Sequence, residues 1–265
     1  MQILMLILLS PAKNMNFDPV AGAPRPTQPA LLAHTKFLAE TARKLTRGQI
    51  GRLMKISDQL AELNYERFQH FDPANRRNVK PAALAFAGDV YRGLDAASLT
   101  AEDLAYAQSH LRILSGFYGL LRPLDGVQPY RLEMGRALKN PRGKDLYAFW
   151  GDEIARELTK ATKKLDDPTI VNLASKEYFT AARPELLEAP IVTPVFKEEK
   201  DGNLRQLQFF AKRARGLMAR YAIKNRLERI EDLKGFDLEG YSYRKSLSSE
   251  NEWIFTRPQP AKKAA

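Results

Sequence analysis

The chain has 265 residues, 44% of them hydrophobic, with 42 Lys and Arg against 31 Asp and Glu, a net charge of +11, and no cysteine. The missing cysteine excludes disulfides, thiolate nucleophiles, cysteine-type structural zinc and cysteine-ligated iron–sulfur clusters. A basic excess of this size favours polyanionic partners, nucleic acid before anionic membrane, although net charge alone does not show clustering.

The longest apolar run, residues 3–9 (ILMLILL), is far shorter than the ~20 residues a membrane-spanning helix needs. No Lys or Arg precedes it, and Lys13, Asn14, Asn16 and Asp18 separate it from the cleavage-like Ala21-Gly22-Ala23. It reads as a buried first strand of a cytoplasmic protein rather than a signal peptide. Lys13 follows that strand, where it is either a functional group or a surface-loop lysine. Residues 16–29 are rich in Pro and Gly and form an extended connection.

Helical spacing follows over 31–45. Thr46-Arg47-Gly48-Gln49 has the form of a capping box, and Ser57 caps a third helix running to Phe71. Residues 82–88 (AALAFAG) read as a short strand ending in a glycine turn. Thr100 starts a helix that reaches about Leu111. A long helical pattern covers 144–164, with Asp145 and Asp152 seven residues apart on one face. Residues 169–173 (TIVNL) are a strand, and 191–197 and 204–210 flank Asp201-Gly202 as a hairpin. A basic helix follows, then a strand pair at 240–243 and 253–256. Strands mixed among helices give an α+β (mixed α/β) fold. A single compact domain over 1–257, its mixed sheet flanked by helices, precedes a disordered basic tail, 258–265.

The basic helix is the clearest electrostatic feature. Phe210, Ala214, Leu217, Met218 and Tyr221 recur as one buried face. Arg213, Arg220 and Lys224 form another stripe, flanked by Lys212 and Arg215. Residues 201–231 hold eight cations against Asp201, Glu228 and Glu231. Such a helix either lays cations along a phosphate backbone or is a solvated basic face. The stretch 115–135 (SGFYGLLRPLDGVQPYRLEMG) and its continuation add Arg122, Arg131, Arg136 and Lys144. Phe117, Tyr118 and Tyr130 interleave with them, suited to base stacking or to the core.

Hydrolytic and metal chemistry find little support. His34, His70 and His110 each lie within a helical pattern without metal-ligand spacing, and the nucleotide-loop motifs are absent. No metal or cofactor is expected. The carboxylates are more promising. Glu133 sits between arginine and glycine. Glu177 follows a strand end with Asn172, Ser175 and Tyr178 nearby. Glu177 is equally well explained as a first-turn residue of a helix capped by Ser175.

Taken in order, ILLSPAK, FAGDVYRGL, LSGFYGLLRPLDGVQPYRLEMG, GKDLYAFWGD, VNLASKEYF and FFAKRARGLMARY resemble the YaaA family, the bacterial peroxide-stress-response proteins, over nearly the whole chain. The resemblance implies a cytoplasmic protein with the family's own "cantaloupe" fold. It also implies a role in limiting free iron and the damage iron drives, and binding of duplex or branched DNA through a positive cleft with a helix-hairpin-helix element. The glycines of that element match either 116–119 or 48–51, the first preferred because Arg122 follows. Two functions remain open. One is a non-catalytic DNA-binding protein, largely indifferent to sequence, using Arg122, Arg131, Arg136, Lys144, Lys212, Arg213, Arg215, Arg220 and Lys224. The other is an enzyme cleaving or exchanging a glycosidic bond of a nucleic acid or nucleotide, using Lys13, Glu133, Glu177 and Tyr178. An enzyme requires Lys13, Arg131, Glu133 and Tyr178 to converge in one concavity.

Overall fold

The structure, a computed structural model, describes residues 5–75, 78–163 and 168–260. In chain order the strands are β1 (Met5–Leu9), β2 (Asn14–Met15), β3 (Lys80–Pro81), β4 (Phe86–Ala87), β5 (Leu111–Ser115), β6 (Gly119–Leu121), β7 (Gly126–Val127), β8 (Thr169–Leu173), β9 (Ile191–Lys200), β10 (Asn203–Arg205), β11 (Ser242–Tyr243) and β12 (Glu252–Pro258). The helices are α1 (Leu32–Arg43), α2 (Arg47–Met54), α3 (Asp58–His70), α4 (Ala82–Ala85), α5 (Asp89–Leu94), α6 (Ala101–His110), α7 (Leu146–Trp150), α8 (Glu153–Thr162), α9 (Lys176–Ala181) and α10 (Gln208–Lys224). Among the described residues no helix is long and apolar enough to cross a membrane.

The main sheet is mixed and mostly parallel, in the order β11-β12-β9-β8-β1-β5-β6, with β10 on β9. Interior to it, between β8 and β5, is β1, whose five residues are all buried. An apolar strand with no polar alternation must be covered on both faces, and that requirement puts it between neighbours rather than at an edge. It runs parallel to β5 on one side and β8 on the other, with Leu9 level with Ile113 and Leu173. The chain therefore leaves β1 toward β5 and later returns to the opposite side. That reversal is the topological switch at which open α/β sheets leave a crevice beyond the strand ends.

Several expected elements differ. Residues 82–85 form α4, not a strand, because three of the four are alanine, the best helix former, and strand character is confined to β4. The single helix expected over 144–164 is two. Asp145 caps α7 through Ala148 N at 2.8 Å, and Gly151 at φ +46° breaks the path before α8. Lys164 lies outside the described residues. The 204–210 run is a strand only as far as Arg205, since α10 begins at Gln208.

The favoured helix-hairpin-helix site is a strand hairpin, with 116–118 joining β5 to β6. The alternative, Gly48–Gly51, lies inside α2. Phe117, Tyr118 and Tyr130 are buried in one aromatic cluster, so they are core and offer no stacking platform. Of the tail expected at 258–265, Pro258 ends β12, Gln259 N donates to Glu199 O at 2.8 Å, and 261–265 lie outside the described residues.

Two contacts position α10. Gly93 of α5 and Gly216 of α10 let the two helix backbones touch. A Cβ on Gly216 would lie 1.8 Å from Val90 O, and one on Gly93 would lie 2.3 Å from Arg213 O. The second contact is ionic. Asp103, 2% exposed, closes a capping box with Thr100 and accepts from Lys224 at 2.9 Å and Arg226 at 2.5 Å. Burial pushes its carboxyl up, but the bonds from Lys224 and Arg226 hold it far below the usual carboxylate range.

Both contacts are testable. Gly216→Ala must push two backbones apart and is expected to cost about 3 kcal/mol or more. Gly48→Ala in α2, where a Cβ meets only the flexible Arg52 end at 3.6 Å, should be neutral or stabilising by about 0.4–1 kcal/mol. Thermal unfolding of both variants checks the contrast. Asp103→Asn should cost about 1–2 kcal/mol at neutral pH, a discounted value because Lys224 and Arg226 are part exposed. A depressed carboxyl stabilises above its unfolded pKa of about 3.9. The wild-type advantage over Asp103→Asn should therefore shrink as pH falls below about 4, which denaturant titrations across pH would show.

Candidate functional site at the ends of β1 and β8

The switch point is occupied by a crevice of about 400 Å³. Its base is the turn after β1 and the turn after β8. Ser175 N donates to Ser10 Oγ at 2.8 Å, and the two hydroxyl oxygens lie 3.3 Å apart, tying the strand ends together. Tyr91 OH donates to Ser10 O at 3.1 Å from behind. Lys13 enters from the β1 side and Tyr178 from α9. Lys212 and Arg215, one turn apart on α10, face in from the helix that the glycine contact holds in place.

Glu133 is the electrostatic centre. It is 5% exposed, and its Oε1 accepts from Arg131 at 3.2 Å and Arg136 at 3.1 Å, with Lys13 Nζ at 3.7 Å. Its Oε2 is buried without a hydrogen-bond partner. Burial pushes the Glu133 carboxyl up, but the Arg136 hydrogen bond and the charges of Arg131 and Arg136 bring it below its ordinary value. Glu133 is thus a carboxylate at neutral pH with one oxygen unused. Glu177, exposed at the rim, accepts from Gly135 N at 2.9 Å and so ties α9 to the Glu133 loop. The Tyr178 hydroxyl is buried and raised well above a normal phenol, first by desolvation and then by Tyr130, Glu177 and Glu133, so it stays protonated as a donor. Burial lowers Arg215.

The crevice brings together Lys13, Glu133, Glu177, Tyr178, Lys212 and Arg215. Arg131 and Arg136 stand behind Glu133 rather than in the lining. The other expected cations go elsewhere. Arg122 is held by Asp125 and Gln28 O. Arg213 pairs with Glu239, Arg220 with Asp95 and Leu94 O, and Lys224 with Asp103, so that stripe is engaged within the chain. Lys144 is exposed beyond the lining. Of the two carboxylates expected on one helix face, Asp145 is a cap and Asp152 pairs with Arg183. None of His34, His70 and His110 lines the crevice. Among the described residues no three of His, Asp and Glu gather around a metal-sized point.

Ser10 and Asp89, both in the lining, were not singled out from sequence. The signal for both was present, since each directly follows a short apolar run at a turn.

The profile of the family described as "Peroxide stress protein YaaA" matches residues 5–247. A UPF0246 protein of Maricaulis maris is 57% identical over 264 residues, covering 98% of this chain and 100% of the relative. UPF0246 proteins of Saccharophagus degradans and Ralstonia pickettii are each 53% identical, covering 96% of this chain and 100% and 99% of theirs. With coverage so complete at both ends of the alignment, the chain belongs to the peroxide stress protein YaaA family.

Proposed function

We propose that this peroxide stress protein binds nucleic acid in the cytoplasm and works on one nucleotide unit of it in the β1–β8 crevice. The observation that carries the reading is convergence. Lys13, Glu133 and Tyr178 line one hollow, and Arg131 bonds Glu133 from behind it. A protein that only tracks a phosphate backbone needs cations spread over a surface, and has no use for a buried carboxylate with a free oxygen.

The roles follow from the environments. Lys13 is mostly open to solvent and paired to Glu133. It lacks the desolvation an amine nucleophile needs and suits a phosphate clamp with Lys212 and Arg215. Glu133, ionised, suits a base or a partner for positive charge developing at a sugar, as in cleavage or exchange of a glycosidic bond. Tyr178 suits a donor to a leaving or bridging oxygen. Activity carried by ionised Glu133 should hold through neutrality and fall only below the ordinary carboxylate range, near about 4.3.

A second reading is favoured by the +11 charge. It is sequence-independent binding of duplex or branched DNA that shields it from iron-driven oxidation, with no chemistry. Glu133→Gln separates the two. The first reading expects peroxide protection in a sensitive strain to be lost while DNA affinity stays within about twofold, in a variant whose circular dichroism is unchanged. Full protection by Glu133→Gln would leave only the second.

The clamp also predicts a salt effect. Each phosphate contact contributes about 0.9 to the log–log salt slope on duplex DNA and about 0.7 on single strands. Lys212→Gln with Arg215→Gln should lower that slope by up to about two units. Arg213→Gln with Arg220→Gln should leave it unchanged, because those cations are already paired. DNA titrations at several salt concentrations measure both.

A further inference from the structure

The crevice does not end at its own wall. Beyond the ribbon of β2 and β4, where Asn14 lies opposite Ala87, a second hollow of about 450 Å³ opens. Asn14, Ala87 and Gly88 line both hollows, so the ribbon is a shared ridge rather than a partition. Each hollow falls in the roughly 300–1,000 Å³ range of small-ligand sites.

The second hollow has its own buried cation. Lys80 is 8% exposed, and its ammonium donates to Asn16 O at 3.1 Å and Asp18 O at 2.7 Å. Both partners are backbone carbonyls. Among the described residues no carboxylate pairs with it directly, and the Asp18 side chain acts only at longer range. A lysine is rarely buried this far unless its charge is balanced. Phe86 and Tyr91, core residues with ring centroids 5.3 Å apart, back the same hollow, and Arg92 and Ala97 sit on its exposed rim. Its charged lining is Lys80 and Arg92 with Asp18 and Asp95.

We propose that this hollow is a second subsite for the neighbouring unit of the same ligand, with Lys80 facing its phosphate and Asn14 at the crossing. The ligand is then a stretch of at least two nucleotides, not a free mononucleotide. Two hollows joined over a low ridge match a ligand built of repeating units joined by a charged linker. The inference rests on the nucleic-acid reading of the crevice and adds the length of what it takes.

The test is a fluorescence titration of the full chain with thymidine 5′-monophosphate and with a thymidine tetranucleotide. The tetranucleotide should bind at least about tenfold tighter, the gain from one further phosphate-held unit. Ala97→Trp fills the second hollow from an exposed position. It should remove that gain while monophosphate affinity stays within about twofold. Lys80→Met should do the same. Should Lys80→Met fail to fold, Ala97→Trp carries the test alone, since Ala97 lies outside the core. Lys212→Glu, in the crevice, should weaken both ligands. If the monophosphate binds and Lys212→Glu weakens it, but the tetranucleotide gains nothing or keeps its gain in Ala97→Trp, the second subsite is overturned and the crevice reading stands. If neither ligand responds to Lys212→Glu, the crevice reading falls and the subsite with it.

Discussion

A carboxylate removed from water persists as an anion only if cations and donors replace its hydration, and the site is arranged around that constraint at Glu133. Arg131 and Arg136 come from the same loop, and Lys13 from the turn after β1, all meeting one oxygen. The loop is in turn fixed by Glu177, through the Gly135 amide. Removing any of these partners unbalances a buried charge, so the ends of β1 and β8 and the 128–138 loop are coupled. The oxygen without a hydrogen-bond partner is what remains after this balance.

The cations opposite Glu133 depend on a different kind of force. Lys212 and Arg215 ride on α10, and the position of α10 is set by backbone contact at Gly93 and Gly216 and by the Asp103 ion pairs. The ion pairs lie away from the crevice, and the glycine contact meets it only at Val90. Both decide whether two positive charges stand over the strand ends or elsewhere. Part of the basic character of α10 therefore holds the helix in place, while the part at its N-terminal half faces the site.

Much of the fold was legible because local signals and burial agreed. The unbroken apolar β1 and the Thr46 and Thr100 capping boxes took the form their patterns required, and so did Ala214, Leu217 and Met218 on α10, while Phe210 and Tyr221 of the same expected face are only half-buried. The misreadings fell where a short apolar run carried no period, as at Ala82–Ala85, or where one glycine split a helical pattern, as at Gly151. The residues of the site were partly legible too. Lys13, Glu133, Glu177 and Tyr178 stood out as polar groups beside strand ends or glycine turns. Ion pairing was not legible, because the partners of Arg213, Arg220 and Lys224 lie between 26 and 126 residues away. A sequence shows how many cations a helix has, but not which are already neutralised. Lys80 escaped notice for a related reason: nothing local marks a lysine that the fold will bury.

The most direct test of the account is a crystal structure of the chain with a short single-stranded oligonucleotide. The account predicts a nucleotide unit in the β1–β8 crevice beside Glu133, with a phosphate oxygen within hydrogen-bond distance of Lys13, Lys212 or Arg215. An oligonucleotide bound on another face, with the crevice holding only water, would contradict it.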